Sequence, residues 1–365
     1  MKSLQVIAIY LPQYHKIPEN DKWWGDGFTE WTNVKKAKSL FNGHIQPRIP
    51  LNGYYYDLSD PSELVRQMKM ASEYGVDGFC FYHYWFKDGK KLLEKPIESL
   101  LKMNKLPNNF MLCWANEPWT RAWDGHKDST TVLMEQDYGG LDEWEKHFNY
   151  LLQFFKRHEY IKIDNKPVFA IYKLGEIPRC RKGLDLWNKL SIECGFNGMY
   201  YLLTHRQSSF VEEAHFGSGI YDFEPFSTFY RLSLNEKNKC QRKVWKNNTY
   251  RLVYDYRDFC ECMVNRYTFG GGVHNLGFFP GWDNSPRIGD RAEIIFINNT
   301  PDIFKEYFRV QYERSVSLEN PFIFINAWNE WGEGAFIEPD EIYGFGYLEA
   351  IYNIKKDYSN DKSPM

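Results

Sequence analysis

The chain has 365 residues, a net charge of −3 and a pI near 6.3, which fits one large or two ordinary domains and argues against a nucleic-acid partner. Aromatic residues make up 18 %, with 13 Trp and 26 Tyr, flat side chains that stack on sugar rings as well as fill cores. Seven scattered cysteines without disulfide-framework or zinc-knuckle spacing fit a reducing compartment, and the short apolar stretch after Met1 is no secretory leader, so a cytoplasmic location is expected.

Taken in chain order, short apolar runs predict strands and amphipathic stretches predict helices. Strand Val6–Tyr10 runs into Gln13, Tyr14 and His15, and an excursion over about 15–60 follows, carrying Trp23, Trp24, Glu30 and Trp31. A helix over Ser62–Tyr74 opens at Pro61 and closes at Gly75. Strand Gly78–Tyr82 leads to His83, Tyr84 and Trp85, and a helix over Leu92–Met103 comes next. Strand Phe110–Trp114 leads to Asn116, Glu117 and Trp119, then a helix over Leu141–His158. Strand Val168–Tyr172 precedes Lys173 and a helix over Gly183–Cys194. Strand Met199–Leu203 ends at His205 and Arg206, and strand Ile220–Pro225 carries Glu224. A second excursion, about 227–273, holds the basic run Lys237–Lys246 and a helix over Arg251–Tyr267. The basic run reads either as a contact for an anionic glycan or lipid phosphate, or as a solvated face. Strand Gly277–Trp282 leads to Asp283, and helix Asp302–Ser317 precedes the last strand, Phe322–Trp328, which delivers Asn329, Glu330, Trp331 and Glu333.

Eight strands alternating with helices predict a (β/α)8 TIM barrel with long loops on its C-terminal face. An open doubly wound sheet is the alternative, but no glycine fingerprint follows the first strand. The expected organisation is a single barrel over 1–355 and a C-terminal tail over 356–365. Aromatic, His and carboxylate residues collect after successive strands, where barrel enzymes carry their chemistry.

Glu330 and Glu333 are the leading catalytic candidates. Two acids at a strand end among tryptophans can divide the work of glycosidic-bond chemistry, one donating a proton and the other staying charged. Gly332 and Gly334 break any helix that would carry them away. Glu117 is a third candidate, serving either as acid/base or as a structural partner of a cation such as Arg121. Asp283 either holds a sugar hydroxyl or caps its own turn. His83, His205 and Tyr14 either bind hydroxyls or are satisfied within the core. The expected sugar contacts also include Tyr10, His15, Trp24, Glu30, Trp31, Tyr84, Trp85, Trp114, Asn116, Trp119, Tyr172, Glu224, Trp282, Trp328, Asn329 and Trp331. Phosphate-loop, metal-helix and nucleophile-elbow motifs are missing, as is Asp-x-Asp, so neither cofactor nor metal is expected. No run is long and apolar enough to span a membrane.

Several long motifs carry a resemblance. Ala8-Ile-Tyr-Leu-Pro-Gln-Tyr-His15, Trp23-Trp24-Gly-x-Gly-Phe-Thr-Glu30-Trp31, Trp114-Ala-Asn-Glu-Pro-Trp119, Pro280-Gly-Trp-Asp-Asn284 and Asn326-Ala-Trp-Asn-Glu-Trp-Gly-Glu-Gly334 together resemble the WbsX-type family of bacterial O-antigen and capsule clusters. The last motif is also similar to one in glycoside hydrolase family 99. That resemblance implies a barrel fold and retention of configuration through the substrate's own 2-hydroxyl, Glu330 assisting that hydroxyl and Glu333 acting as acid/base. It implies an oligo- or polysaccharide substrate, cleaved or, as the family label has it, transferred. A non-catalytic glycan-binding barrel is the third reading.

Overall fold

The computed structural model describes residues 4–121, 131–205, 218–268 and 273–360. Its centre is a ring of parallel strands: β1 (Gln5–Tyr10), β2 (Gly78–Trp85), β3 (Asn109–Trp114), β4 (Lys166–Ile171), β5 (Tyr200–His205), β6 (Gly219–Asp222), β7 in two pieces (Val273–Asn275 and Gly277–Phe278) and β8 (Phe322–Ile325). The nine strand segments occupy eight positions because β7 changes partners at Leu276. Its first piece pairs with β6 and its second with β8, which in turn pairs with β1. A Cβ on Gly277 would fall 2.2 Å from the Asp222 carbonyl oxygen, so the crossing point has no room for a side chain.

All eight residues of β2 are buried, as are the last five of β1, β3 and β4. Parallel strands covered on both faces need such continuous apolar runs, which is why the sequence displays them. Helices α1 (Pro61–Glu73), α2 (Lys95–Lys102), α3 (Leu141–Phe155), α4 (Cys180–Glu193), α5 (Tyr256–Val264), α6 (Pro301–Ser317) and α7 (Gly346–Asn360) complete the fold. Asp60 caps α1 by accepting a hydrogen bond from the Ser62 backbone N–H at 2.9 Å.

Three stretches differ from the sequence expectation. The helix expected from Arg251 begins only at Tyr256; residues Thr249–Asp255 instead pair antiparallel with Gln241–Lys246. Asn247 and Asn248, both at positive φ, make the tight turn of that hairpin, and Asn is a residue that tolerates this conformation. The basic run therefore spans a short helix, Leu234–Cys240, and one hairpin strand. Helix α2 starts at Lys95, because Leu92 pairs with Tyr84 of β2. The chain continues as α7 to Asn360, past the expected start of a tail: Ile351 and Ile354 are buried, and Lys355 Nζ reaches the Gly75 carbonyl at 2.9 Å. Residues 361–365 of the expected tail, and Arg206, lie outside the described residues.

Candidate functional site

The loop after β8 makes one tight excursion. Asn329–Glu330 pairs antiparallel with Ala335–Phe336, and a single 3-10 turn, Trp331–Glu333, closes between them. The side chains of Glu330 and Glu333 both reach a guanidinium supplied by the loop after β7. Arg287, in the short helical turn Ser285–Ile288, donates from Nη2 to Glu330 at 2.9 Å and from Nη1 to Glu333 at 2.5 Å. Its Nε donates to Glu30 at 3.2 Å, so the first excursion contributes a third acid. A Cβ on Gly332 would lie 2.4 Å from Glu30 Oε2 and 2.8 Å from Arg287 Nε. Only glycine lets the two loops close on this turn, which gives the Glu-Trp-Gly-Glu spacing its reason.

Three carboxylates around one guanidinium leave an excess of negative charge in a buried place. Burial, and then the neighbouring Glu333, raise the Glu330 carboxyl to about 8 despite Arg287. Glu333 is the more open of the two, with a fifth of its side chain exposed against 6 % for Glu330. Crowded carboxylates of this kind favour keeping one proton within the group while Arg287 stays charged.

Both acids line a cavity of about 370 Å3 at the C-terminal mouth of the barrel. Its walls are largely aromatic: Tyr82 and Tyr84 from β2, Trp119, Tyr172, Phe223, Phe226 and Trp282. Glu117 also faces it, paired with Lys173 Nζ and about one-third exposed. Aromatic faces with a few convergent polar groups make a site suited to a sugar. Of the residues expected from sequence, the cavity brings together Tyr84, Glu117, Trp119, Tyr172, Trp282, Glu330 and Glu333. Arg287, Tyr82, Phe223, Phe226 and Asn284 were missed. The count of acids in the flanking motifs asked for a cation, and Arg287, four residues after Asp283, could have been found that way.

A second group of expected residues stands behind the wall. The Tyr14 hydroxyl donates to the Asn329 carbonyl at 2.5 Å and accepts from the Trp331 backbone N–H at 3.2 Å. Burial first, then Glu30 and Glu330, push this phenol well up, so it stays neutral. Asn329 binds the Leu11 backbone through both its amide atoms, at 2.8 and 3.0 Å. Trp31 donates to the Tyr56 carbonyl, and Trp331 donates to Glu338 at 2.7 Å while stacking on Phe336. Glu338, buried between Tyr56 and Trp331, is raised to about 7 mainly by desolvation. These residues fix the loop of the two acids without lining the cavity.

A third group lies away from it. Tyr10 and Trp328 both donate to Gln67 of α1, at 2.7 and 3.1 Å. His83 contacts His147 of α3 at 2.8 Å, Trp85 stacks on His147, and Trp114 donates to the Trp85 carbonyl. Burial lowers His83 to about 3, and His15, also buried, to about 4. Asn116 ties Tyr138 to the Lys173 backbone, and Trp24 packs beside Phe28. Asp283 accepts from His44 at 2.8 Å, from Gln46 at 2.6 Å and from the Ser285 backbone at 3.0 Å. Glu224 accepts from the Thr228 hydroxyl and backbone N–H, and is raised to about 8 by burial and then by Asp222. His205 meets Asp222 and Ser227. His205, Asp222 and His274 form the single group of three or more His, Cys, Asp or Glu among the described residues whose donor atoms all lie within 4.8 Å of one another, where sequence asked for no metal.

Solved structures agree with this architecture. The GH99 endo-alpha-mannosidase of Bacteroides thetaiotaomicron aligns over 99 % of this chain and 100 % of its own, at a TM-score of 0.59 and 12 % identity. A glycoside hydrolase-like protein aligns over 97 % and 94 %, at the same score and identity. At such identity the likeness speaks for the fold alone. By sequence, the chain is 32 % identical over 353 residues to the uncharacterized protein WxcX of Xanthomonas campestris pv. campestris (strain B100). The match covers 94 % of this chain and 48 % of that relative, so the chain spans about half its length. The model described as Glycosyltransferase WbsX matches residues 6–351, and the chain belongs to that family.

Proposed function

We propose that the chain is a glycan-processing enzyme that cleaves glycosidic bonds in a bacterial surface polysaccharide of O-antigen or capsule type, or in its precursor. One observation carries the reading: Arg287 gathers Glu330 and Glu333 at the wall of an aromatic cavity. Acid-base cleavage needs one carboxyl protonated and one ionised, which is the state this surplus of charge favours. Following the family 99 resemblance, Glu330 assists the substrate's 2-hydroxyl and Glu333 protonates the leaving oxygen. The one proton that the surplus of carboxylates retains is available to the leaving oxygen through Glu333, the more open of the two. Aromatic walls exclude water and position the ring by stacking.

A panel of bacterial surface polysaccharides, with products read by mass spectrometry, tests the proposal. Glu330→Gln and Glu333→Gln should each lose turnover by about 1,000-fold or more. Undiminished cleavage in both variants ends it. The family description favours a second reading, transfer of a sugar during polysaccharide assembly. Tight calorimetric binding of a sugar nucleotide, with no hydrolytic product from any glycan, would put transfer first.

A further inference from the structure

We propose that His205, Asp222 and His274, with Ser227 beside them, form a site for a divalent transition metal of the zinc class. It lies on the outer side of the barrel wall, separate from the cavity chemistry. Strands β5 and β6 pair His205 with Asp222, and β6 and β7 pair Ile220 with His274. Side chains alternate along a strand. Thr204 and Tyr221 bond to each other at 2.7 Å on one side, so His205 and Asp222 project to the other. There the turn Phe226–Phe229 brings in Ser227.

The donor atoms crowd together. His205 Nδ1 is 2.8 Å from Asp222 Oδ1, and His274 Nε2 is 3.0 Å from the same oxygen. Ser227 Oγ lies 2.8 Å from that oxygen, 2.9 Å from His205 Nδ1 and 2.7 Å from the His205 carbonyl. All four residues are at most 5 % exposed. The hydroxyl has one hydrogen for three polar neighbours, and one carboxylate oxygen with two lone pairs meets three polar groups. A cation between them resolves that crowding by taking a lone pair from each donor.

Two imidazoles, a carboxylate and a hydroxyl suit zinc and its neighbours better than calcium or magnesium. Tetrahedral zinc with bonds of about 2.0 Å sets its ligand atoms about 3.3 Å apart, so an ion would spread these contacts by only a few tenths of an ångström. One guanidinium stands close by. Arg231 Nη2 stands 3.8 Å from Asp222, while its Nε donates to the Ser227 carbonyl at 2.7 Å. Phe223 and Phe226 of the cavity wall adjoin these ligands in sequence, so the ion would brace that wall from behind.

The test is the metal content of the native chain, purified without a metal-affinity tag and measured by plasma mass spectrometry. About one equivalent of zinc per chain is expected, removable by chelator and restored by added zinc, with cobalt giving a visible ligand-field band. Asp222→Asn and His274→Ala should fall below about one-tenth of an equivalent, while Glu330→Gln keeps its full content. Should either ligand variant fail to fold, native protein decides alone: chelation should lower its thermal midpoint and zinc restore it. Native and zinc-supplemented protein both holding less than about one-tenth of an equivalent would overturn the site, as would unchanged metal in a folded ligand variant. Neither outcome bears on the glutamate pair in the cavity.

Discussion

Two faces of one strand carry opposite fates in this molecule. On β2, Tyr82 and Tyr84 line the cavity, whereas His83 and Trp85 turn outward onto His147 of α3. All four are buried, polar-tipped rings within four consecutive residues. The alternation of side chains along a strand separates them, and composition does not. A similar division holds at the end of β3, where Trp114, its last residue, packs behind the cavity and Asn116 ties loops together while Glu117 and Trp119 face the cavity.

Removal of a cavity-facing acid should have the largest effect. Glu330→Gln and Glu333→Gln should retain the fold while turnover drops about 1,000-fold, measured on the glycan that the native chain cleaves. Outward-facing residues should do the reverse. Trp85→Ala should cost about 3–5 kcal/mol of stability in denaturant unfolding, with turnover per folded molecule unchanged. Loss of turnover without loss of stability would place Trp85 in the site and break the comparison. Arg287→Met should affect both, losing turnover and about 3 kcal/mol of stability, because it leaves three carboxylates without their shared cation.

The dependence on pH sharpens the contrast further. Burial and the neighbouring Glu333 raise the Glu330 carboxyl from about 4.5 to about 8, so between those values the folded chain favours a proton that the unfolded chain has released. Its contribution to stability should therefore be most favourable below about pH 4.5 and fall steadily as pH rises to about 8. Across that window native protein should lose stability relative to Glu330→Gln as pH rises, read from urea midpoints. A flat difference would mean that Glu330 is ionised throughout. The smallest effect is expected at Tyr172, a half-buried wall residue: Tyr172→Ala should weaken glycan binding about 10-fold by calorimetry.

Much of the fold was legible because parallel strands buried on both faces must be apolar almost throughout, and each such run marked a barrel position. The runs misjudged were local. Arg251–Asp255 has polar and apolar residues compatible with a helix, but the Asn247-Asn248 turn and the partner strand Gln241–Lys246 hold it extended. No window around residue 251 contains the side of the rim against which that hairpin closes.

Sequence by itself determined the eight apolar runs, the glycine spacing that folds Glu330 and Glu333 into one tight turn, and the aromatic character of the strand ends. Tertiary structure decided which of those strand-end residues face the cavity, since a one-residue change of phase exchanges the two sides of a strand. It also brought Glu30, Arg287, Glu330 and Glu333 together from three loops. Their charges interact through space at hydrogen-bond range in a buried setting, a relation that depends on distance and solvation and on no spacing along the chain.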